Sequence, residues 1–470
     1  MRTRHDNSAV DMTSATGALD PELVEYVRTQ MTELRIPGAA VGIAHGAAVA
    51  FGGIGVTSVE NPLPVTGDTV FQLGSITKTI TATAIMQAVE RGHIDLDATV
   101  RTYLPDFAVA DPDISERATV RHLITHTGGW EGDLFEAAGW GDDALATLVG
   151  RLAKLRQVTP FGTLWSYSNA SFYPLGRILE VLYGEPYETI IQREIFEPIG
   201  IRDACFFAHD VILKRFSVGH AIGSSGLQVA RPWAMERSAA PVGTAMMNVR
   251  DLLRYARFHL GTLEPSRHVL SPETRELMRQ PGMPGARNGK PSGLDGGMGL
   301  SFMLGERAGT RVAGHGGSAN GQPADLSMLP DHGFAIAVLT NLQNPGHTLA
   351  RRLTRWAHEK YFGISEPPPQ PAAFGDLDEA VGTYETYSRR LRVRREGDEL
   401  RIDTQVTVPW LDNMDPPPVA TVDRRFIPVG TDTVAADPLT DDDKGTFLRD
   451  DSGAIRWLLL NHRAALRRDS

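Results

Sequence analysis

Phe71-Gln72-Leu73-Gly74-Ser75-Ile76-Thr77-Lys78 passes from a β-prone stretch into a strongly helical one, and its reading decides the rest of the chain. Ala82, Ile85, Met86 and Val89 follow at i, i+3, i+4 and i+7, which predicts an amphipathic helix over 75–91, with Gly92 where a C-cap is expected. Ser75 and Lys78 then stand three positions apart at the start of one helix, so their side chains share a face and meet without help from tertiary structure. A serine hydroxyl is a poor nucleophile until a neighbour takes its proton. A lysine takes it only when burial and positive surroundings bring its pKa down from ~10.4. At a helix N-terminus the Ser75 backbone N–H is also placed to receive an oxyanion.

Ser-x-x-Lys is short enough to arise by chance, and two further segments give it weight. Trp165-Ser166-Tyr167-Ser168-Asn169 follows a Pro160-Phe161-Gly162 turn and precedes a helical run, which sets a tyrosine and an amide on a loop between helices. Gly314-His315-Gly316-Gly317-Ser318 lies on or beside a predicted strand, where glycines let a substrate approach the backbone. In this order the three segments resemble the serine β-lactamase-like family. Within it they resemble the branch of class C β-lactamases, D-alanyl-D-alanine carboxypeptidases, D-aminopeptidases and esterases of the same fold. Leu123-Ile124-Thr125-His126-Thr127-Gly128-Gly129 and Ile195-Phe196-Glu197-Pro198-Ile199-Gly200 add to the likeness, which covers roughly residues 20–362.

The resemblance implies an acyl-enzyme at Ser75, with Lys78 holding or accepting its proton and Tyr167 acting with it as base, then as acid toward the leaving group. It implies that Asn169 fixes Lys78 and a substrate carbonyl, and that the backbone N–H groups of Ser75 and Ser318, beside Gly317, form the oxyanion hole. His315 stands where the family's usual Lys-Thr-Gly lysine would. That change removes a fixed positive charge and a hydroxyl suited to gripping a carboxylate. The expectation is therefore a serine hydrolase of the esterase or D-amino-acid amidase/peptidase type, poor toward β-lactams, acting on a small-molecule or short-peptide acyl substrate. Transfer of the same acyl group to an amine, as in a transacylase or peptide cyclase, is an alternative, and a catalytically weak binding module is another. Trp130 and Trp165 are candidates for the pocket rim. Between Trp130 and Asp143, aromatic residues mix with Glu131, Asp133, Glu136, Asp142 and Asp143. This reads either as a solvated loop or as an acidic, aromatic lip that favours apolar or amine-bearing substrates. His126 is read as shaping its loop rather than taking part in chemistry.

Outward from the motifs, Asp20-Pro21 opens a helix carrying Leu23, Val27, Met31 and Leu34 at helical spacing. Runs at 39–44 and 48–56, separated by His45-Gly46, read as a hairpin. Helices are expected near 118–125, 143–155, 171–184, 187–195 and 249–261. Strands return at 299–304, 311–313, 324–329 and 334–340, and a helix over 348–361 follows. Strands at both ends of a helical middle predict an α/β domain whose sheet is assembled from the two ends, with the helical part inserted. The resemblance makes this an antiparallel sheet flanked by helices. The expected division is a polar tail (1–19), a catalytic domain (20–365), a stiff Glu-Pro-Pro-Pro-Gln-Pro linker (366–371) and a C-terminal β domain (372–470). In the last part Leu391/Val393, Leu400/Ile402, Val406/Val408 and Ile455/Trp457/Leu459 alternate with polar residues, the period of half-buried strands in a barrel or sandwich. It weakly resembles a lipocalin-like barrel.

The 470 residues carry a net charge of −10, which argues against nucleic-acid or anionic-membrane partners, because those need a basic field over some face. A single cysteine, Cys205, excludes an internal disulfide. No His-Glu-x-x-His, cysteine pair or Asp-rich loop is present, so neither a metal nor another cofactor is expected. No run approaches the ~18 apolar residues of a membrane span and no secretory h-region opens the chain, which together suggest a cytoplasmic location. Oligomeric state is left open.

Overall fold

The computed structural model describes residues 17–223, 226–282, 297–407, 421–439 and 443–468. Most of the expected polar tail, and Val408, lie outside the described residues.

The opening helix spans Pro21–Leu34. The Asp20 carboxylate caps it by accepting the Glu22 N–H at 2.8 Å, and Pro21 fits a first turn that has no intrahelical use for its nitrogen. Arg35, in the left-handed region, ends it just before Pro37. The expected hairpin follows as Gly38–His45 and Ala48–Gly55, turning at Gly46 with φ 58°.

Seven strands form one antiparallel sheet, in the spatial order Ala48–Gly55, Gly38–His45, Phe334–Thr340, Gln322–Leu329, Thr310–Ala319, Met303–Arg307 and Gly297–Met298. Its centre joins the two ends of the domain, with Val41 opposite Val338. Gly38–His45 is buried except at its last residue and Phe334–Thr340 throughout, because helices cover both faces. On one face Leu23, Val27 and Met31 meet Leu349 and Leu353 of the Pro345–Phe362 helix over Val41, Ile43, Ile336 and Val338. On the other lie the Val249–Leu260 helix and the helical insertion. Truncating a core residue such as Ile336 to Ala costs about 2–5 kcal/mol at such a site.

The helix after Ser75 departs from expectation. It begins at Thr77, preceded by a single 3-10 turn at Gly74–Ile76, and is buried on all sides from Thr77 to Ala88 rather than along one stripe. Its threonines make this tolerable: the hydroxyls of Thr79, Thr81 and Thr83 donate back to the carbonyls of Ile76, Thr77 and Thr79, so the polar face enters the core satisfied.

Residues 366–371 carry neither helix nor strand. Beyond them, eight strands from Gly382–Glu385 to Arg463–Arg468 pair in sequence order and close into a barrel, with Thr383 opposite Arg468. Leu391, Val393, Leu400, Ile402, Phe426, Phe447 and Leu458 fill it. Closure removes the sheet edges that an open sandwich would expose. The barrel is docked, not tethered. Trp457, Leu459 and Ala464 share a buried cluster with Leu164, Trp165, Tyr167 and Met298, and the Trp457 indole donates to the Val158 carbonyl at 2.9 Å. No helix among the described residues is long and apolar enough to cross a membrane.

Candidate functional site

Two glycines bring strand and serine together. Gly74 has φ +52°, and a Cβ there would lie 2.4 Å from the Ser318 nitrogen; a Cβ on Gly317 would lie 1.8 Å from the Leu73 oxygen and 3.1 Å from the Ser75 nitrogen. With any side chain at either position the Thr310–Ala319 strand could not run against the serine turn. Its approach sets the Ser75 and Ser318 amides beside one another.

Lys78 is fully buried. Its Nζ donates to Ser75 Oγ at 3.1 Å and to the Val242 carbonyl at 2.8 Å. Burial, and then the charge of Arg463, hold its pKa well below the usual lysine range, against a smaller opposing effect of Asp133. Such an amine accepts a proton more readily than it keeps one.

Tyr167 completes the group. Its ring centroid is 5.2 Å from Lys78 Nζ, and its phenol is raised above the ordinary tyrosine range by burial, with the Ser75 hydroxyl and Arg463 working the other way. The phenol thus feels Ser75, yet Oη closes no hydrogen bond of ordinary geometry among the described residues. The His126 ring stacks on Tyr167 at 4.4 Å between centroids. His126 takes φ 58°, accepts the Ser168 N–H on Nδ1 at 3.1 Å, and is kept neutral by burial and then by Lys78. It is the surface against which the tyrosine is set.

His315 is 2% exposed. Its Nδ1 donates to the Gly316 carbonyl at 2.5 Å, which fixes the tautomer and leaves Nε2 a buried acceptor with no donor among the described residues. Burial, followed by the charge of Lys78, pushes its pKa down to about 3, so the ring is uncharged at neutral pH. Ser318 is exposed on the same strand, its hydroxyl accepting from Gln343 Nε2 at 2.9 Å.

Three expectations need correction. The Asn169 amide does not turn to Lys78; it donates to Asp133 Oδ1 at 3.0 Å, a charged acceptor that binds it more strongly than a neutral amine would. Trp130 and Trp165 are buried rather than at an open rim. Trp130 packs on Phe107 and walls a small cleft beside Tyr167, while Trp165 is sealed beneath the barrel at 5.8 Å from the His462 ring. Nor do Glu131 and Asp133 form an acidic lip or part of a solvated loop, each being 6% exposed. Arg156 pairs with Glu131 at 2.7 Å, and Arg463 grips Asp133 through two bonds of 2.6 and 2.8 Å, with the Ser388 hydroxyl adding a third at 2.9 Å.

Arg463 is the contributor that sequence reading missed. It comes from the last barrel strand, and its guanidinium carbon lies 5.2 Å from the Tyr167 ring centroid. Beside it the Tyr167 N–H donates to the His462 carbonyl at 2.8 Å and the Ala464 N–H to Ser166 Oγ at 3.1 Å. Among the described residues no cluster of three or more His, Cys, Asp or Glu side chains could hold a metal ion. Cys205 is buried, and burial pushes its thiol up to about 12.

This fold agrees with what the chain is similar to. The beta-lactamase family model matches residues 23–359, and the chain belongs to that family. It is 35% identical over 363 residues to penicillin-binding protein 4 of Amycolatopsis lactamdurans, covering 75% of this chain and 94% of that protein. It is 32% identical over 230 residues to esterase EstB of Burkholderia gladioli, covering 46% of this chain and 57% of that one. The crystal structure of SurE superposes with a TM-score of 0.72 at 24% identity, covering 95% of this chain and 98% of that one, so the shared fold takes in the barrel as well.

Proposed function

We propose that this protein is a serine hydrolase that cleaves an ester or amide bond through an acyl-Ser75 intermediate. The observation that carries the reading is the buried Lys78 Nζ lying 3.1 Å from Ser75 Oγ, within hydrogen-bond reach, with the Tyr167 ring beside it. Ser75 Oγ attacks the carbonyl carbon as its proton passes to the uncharged Lys78 amine, and the oxyanion is received by the Ser75 and Ser318 N–H groups. Collapse breaks the ester or amide bond. The leaving alcohol or amine takes a proton from Tyr167, which recovers one from Lys78. Water then attacks the acyl-serine by the same route in reverse.

Burial supports an uncharged lysine and phenol as the resting pair, since each group is shifted toward its neutral form. Neutral His315 supports a substrate that brings a hydrogen-bond donor, or nothing charged, to that position, and disfavours the carboxylate of a β-lactam. The similarity to an esterase points the same way.

A screen of aryl esters, D-amino-acid amides and a chromogenic cephalosporin, with Ser75→Ala as control, tests this. Ester or amide turnover that Ser75→Ala abolishes is the expected result, with slow cephalosporin hydrolysis. Rapid cephalosporin turnover would overturn the substrate assignment, and turnover surviving in Ser75→Ala would overturn the mechanism. Product analysis with an added amine separates hydrolysis from acyl transfer.

A further inference from the structure

The Asp133–Arg463 pair joins the barrel to the larger domain beside the reactive group. Asp133, 6% exposed, accepts from Arg463 Nε and Nη2, from Asn169 Nδ2 and from Ser388 Oγ. The Arg463 side chain is 21% exposed and its guanidinium lies over the Tyr167 ring. Well-packed apolar residues often serve stability as well as a buried ion pair does, so stability alone is a weak reason for one here. What the pair does provide is a cation that cannot swing away. A guanidinium bound to a carboxylate through two bonds has its plane and distance fixed.

We propose that Arg463, clamped by Asp133, is a positioning residue for the proton transfer, so that docking of the barrel completes the reactive group built by Ser75, Lys78 and Tyr167. This rests on the reading that those three residues carry the chemistry. A fixed cation there disfavours the Lys78 ammonium and favours negative charge on the Tyr167 oxygen as its proton leaves. The other groups facing the pair leave that balance to few charges. His126, His315 and His462 are each held neutral, chiefly by burial, and Tyr173 is held protonated in the same way. Among the described residues, Arg389, Arg463 and the carboxylate of Asp133 remain as charges around Lys78 and Tyr167. Arg463 outweighs Asp133 in its effect on both Lys78 and Tyr167, so the net influence of the pair is that of a positive charge.

The test is the pH dependence of Ser75 acylation, read from aryl-ester burst kinetics or from the labelling rate of an active-site phosphonate, with thermal melting as the check on folding. Arg463→Gln combined with Asp133→Asn removes both charges and keeps hydrogen-bonding groups of similar shape. The acid limb is expected to move up by about one pH unit, the rate at a fixed pH on that limb to fall about tenfold and recover at higher pH, and KM to stay near its parental value. Arg463→Lys keeps the charge and should hold the limb near its parental position. A folded double variant with the parental limb would overturn the proposal, as would Arg463→Lys displaced as far as the double variant. If the double variant does not fold, Arg463→Gln alone takes its place: it removes the cation and leaves Asp133, so the acid limb should move up at least as far, and a folded Arg463→Gln with the parental limb would overturn the proposal equally. Labelling that persists in Ser75→Ala marks a failure of the underlying reading instead.

Discussion

Lys78 and Arg463 both stand 5.2 Å from the centre of the Tyr167 ring, and they reach it in opposite ways. Lys78 lies one helical turn from Ser75, is wholly buried, and among the described residues donates only to a hydroxyl and a carbonyl. Arg463 enters from the barrel, keeps a path to solvent, and is locked to a carboxylate 330 residues away in sequence. A lysine without a counterion is poised to lose its proton; an arginine with one is a charge that stays. Contact with the same ring therefore gives the two basic groups different work, and the presence or absence of a carboxylate partner separates them.

The largest effect expected on that contrast comes from removing what Lys78 serves. Ser75→Ala should lower ester turnover by about 10⁴-fold or more and abolish phosphonate labelling, measured by mass of the labelled protein. Lys78→Met should cost about 10²–10⁴-fold in acylation rate. The same substitution should raise thermal stability. With the folded pKa of Lys78 below its unfolded value, the unfolded state binds more protons between the two, so stability rises with pH across that window and the penalty is full below it. Replacing the amine by an apolar side chain removes the penalty, and a calorimetric Tm at neutral pH should increase by about 2–4 °C. A lower Tm would mean that the contacts to Ser75 and Val242 outweigh desolvation.

Breaking the other side should act on folding first. Asp133→Asn leaves Arg463 without its counterion, and urea unfolding should show a loss of about 2 kcal/mol, less than for a fully enclosed pair because part of the guanidinium meets solvent. The smallest expected effect is on selectivity. His315→Lys restores a cation where the structure has a neutral acceptor, and should move kcat/KM toward carboxylate-bearing substrates by about tenfold relative to neutral esters.

The same contrast explains what could be read from the chain. The Ser75–Lys78 spacing lies within one helical turn, the Gly314–Ser318 segment carries its own glycine signature, and the hairpin and barrel strands announce themselves by alternation. These are local patterns, and the structure has them within a few residues of where they were expected. The Thr77–Glu90 helix was misjudged in kind, because its threonines look like a solvent face until their hydroxyls are seen bonding backward along the helix. In the sequence Asp133 reads as part of a solvated loop or of a lip, because its partner shares no period, motif or neighbourhood with it. Trp165 was placed at a rim because nothing near it in sequence says that the turn after Leu460 will cover it. Pairings across hundreds of residues are decided by packing and leave no short-range trace.

The bond from the Tyr167 N–H to the His462 carbonyl has a consequence in time. A ribosome makes Ser75, Lys78 and Tyr167 long before it makes residue 462, and domains begin to fold in that order. During synthesis the Tyr167 loop therefore stays without the carbonyl that holds it until the last barrel strands have been made and docked.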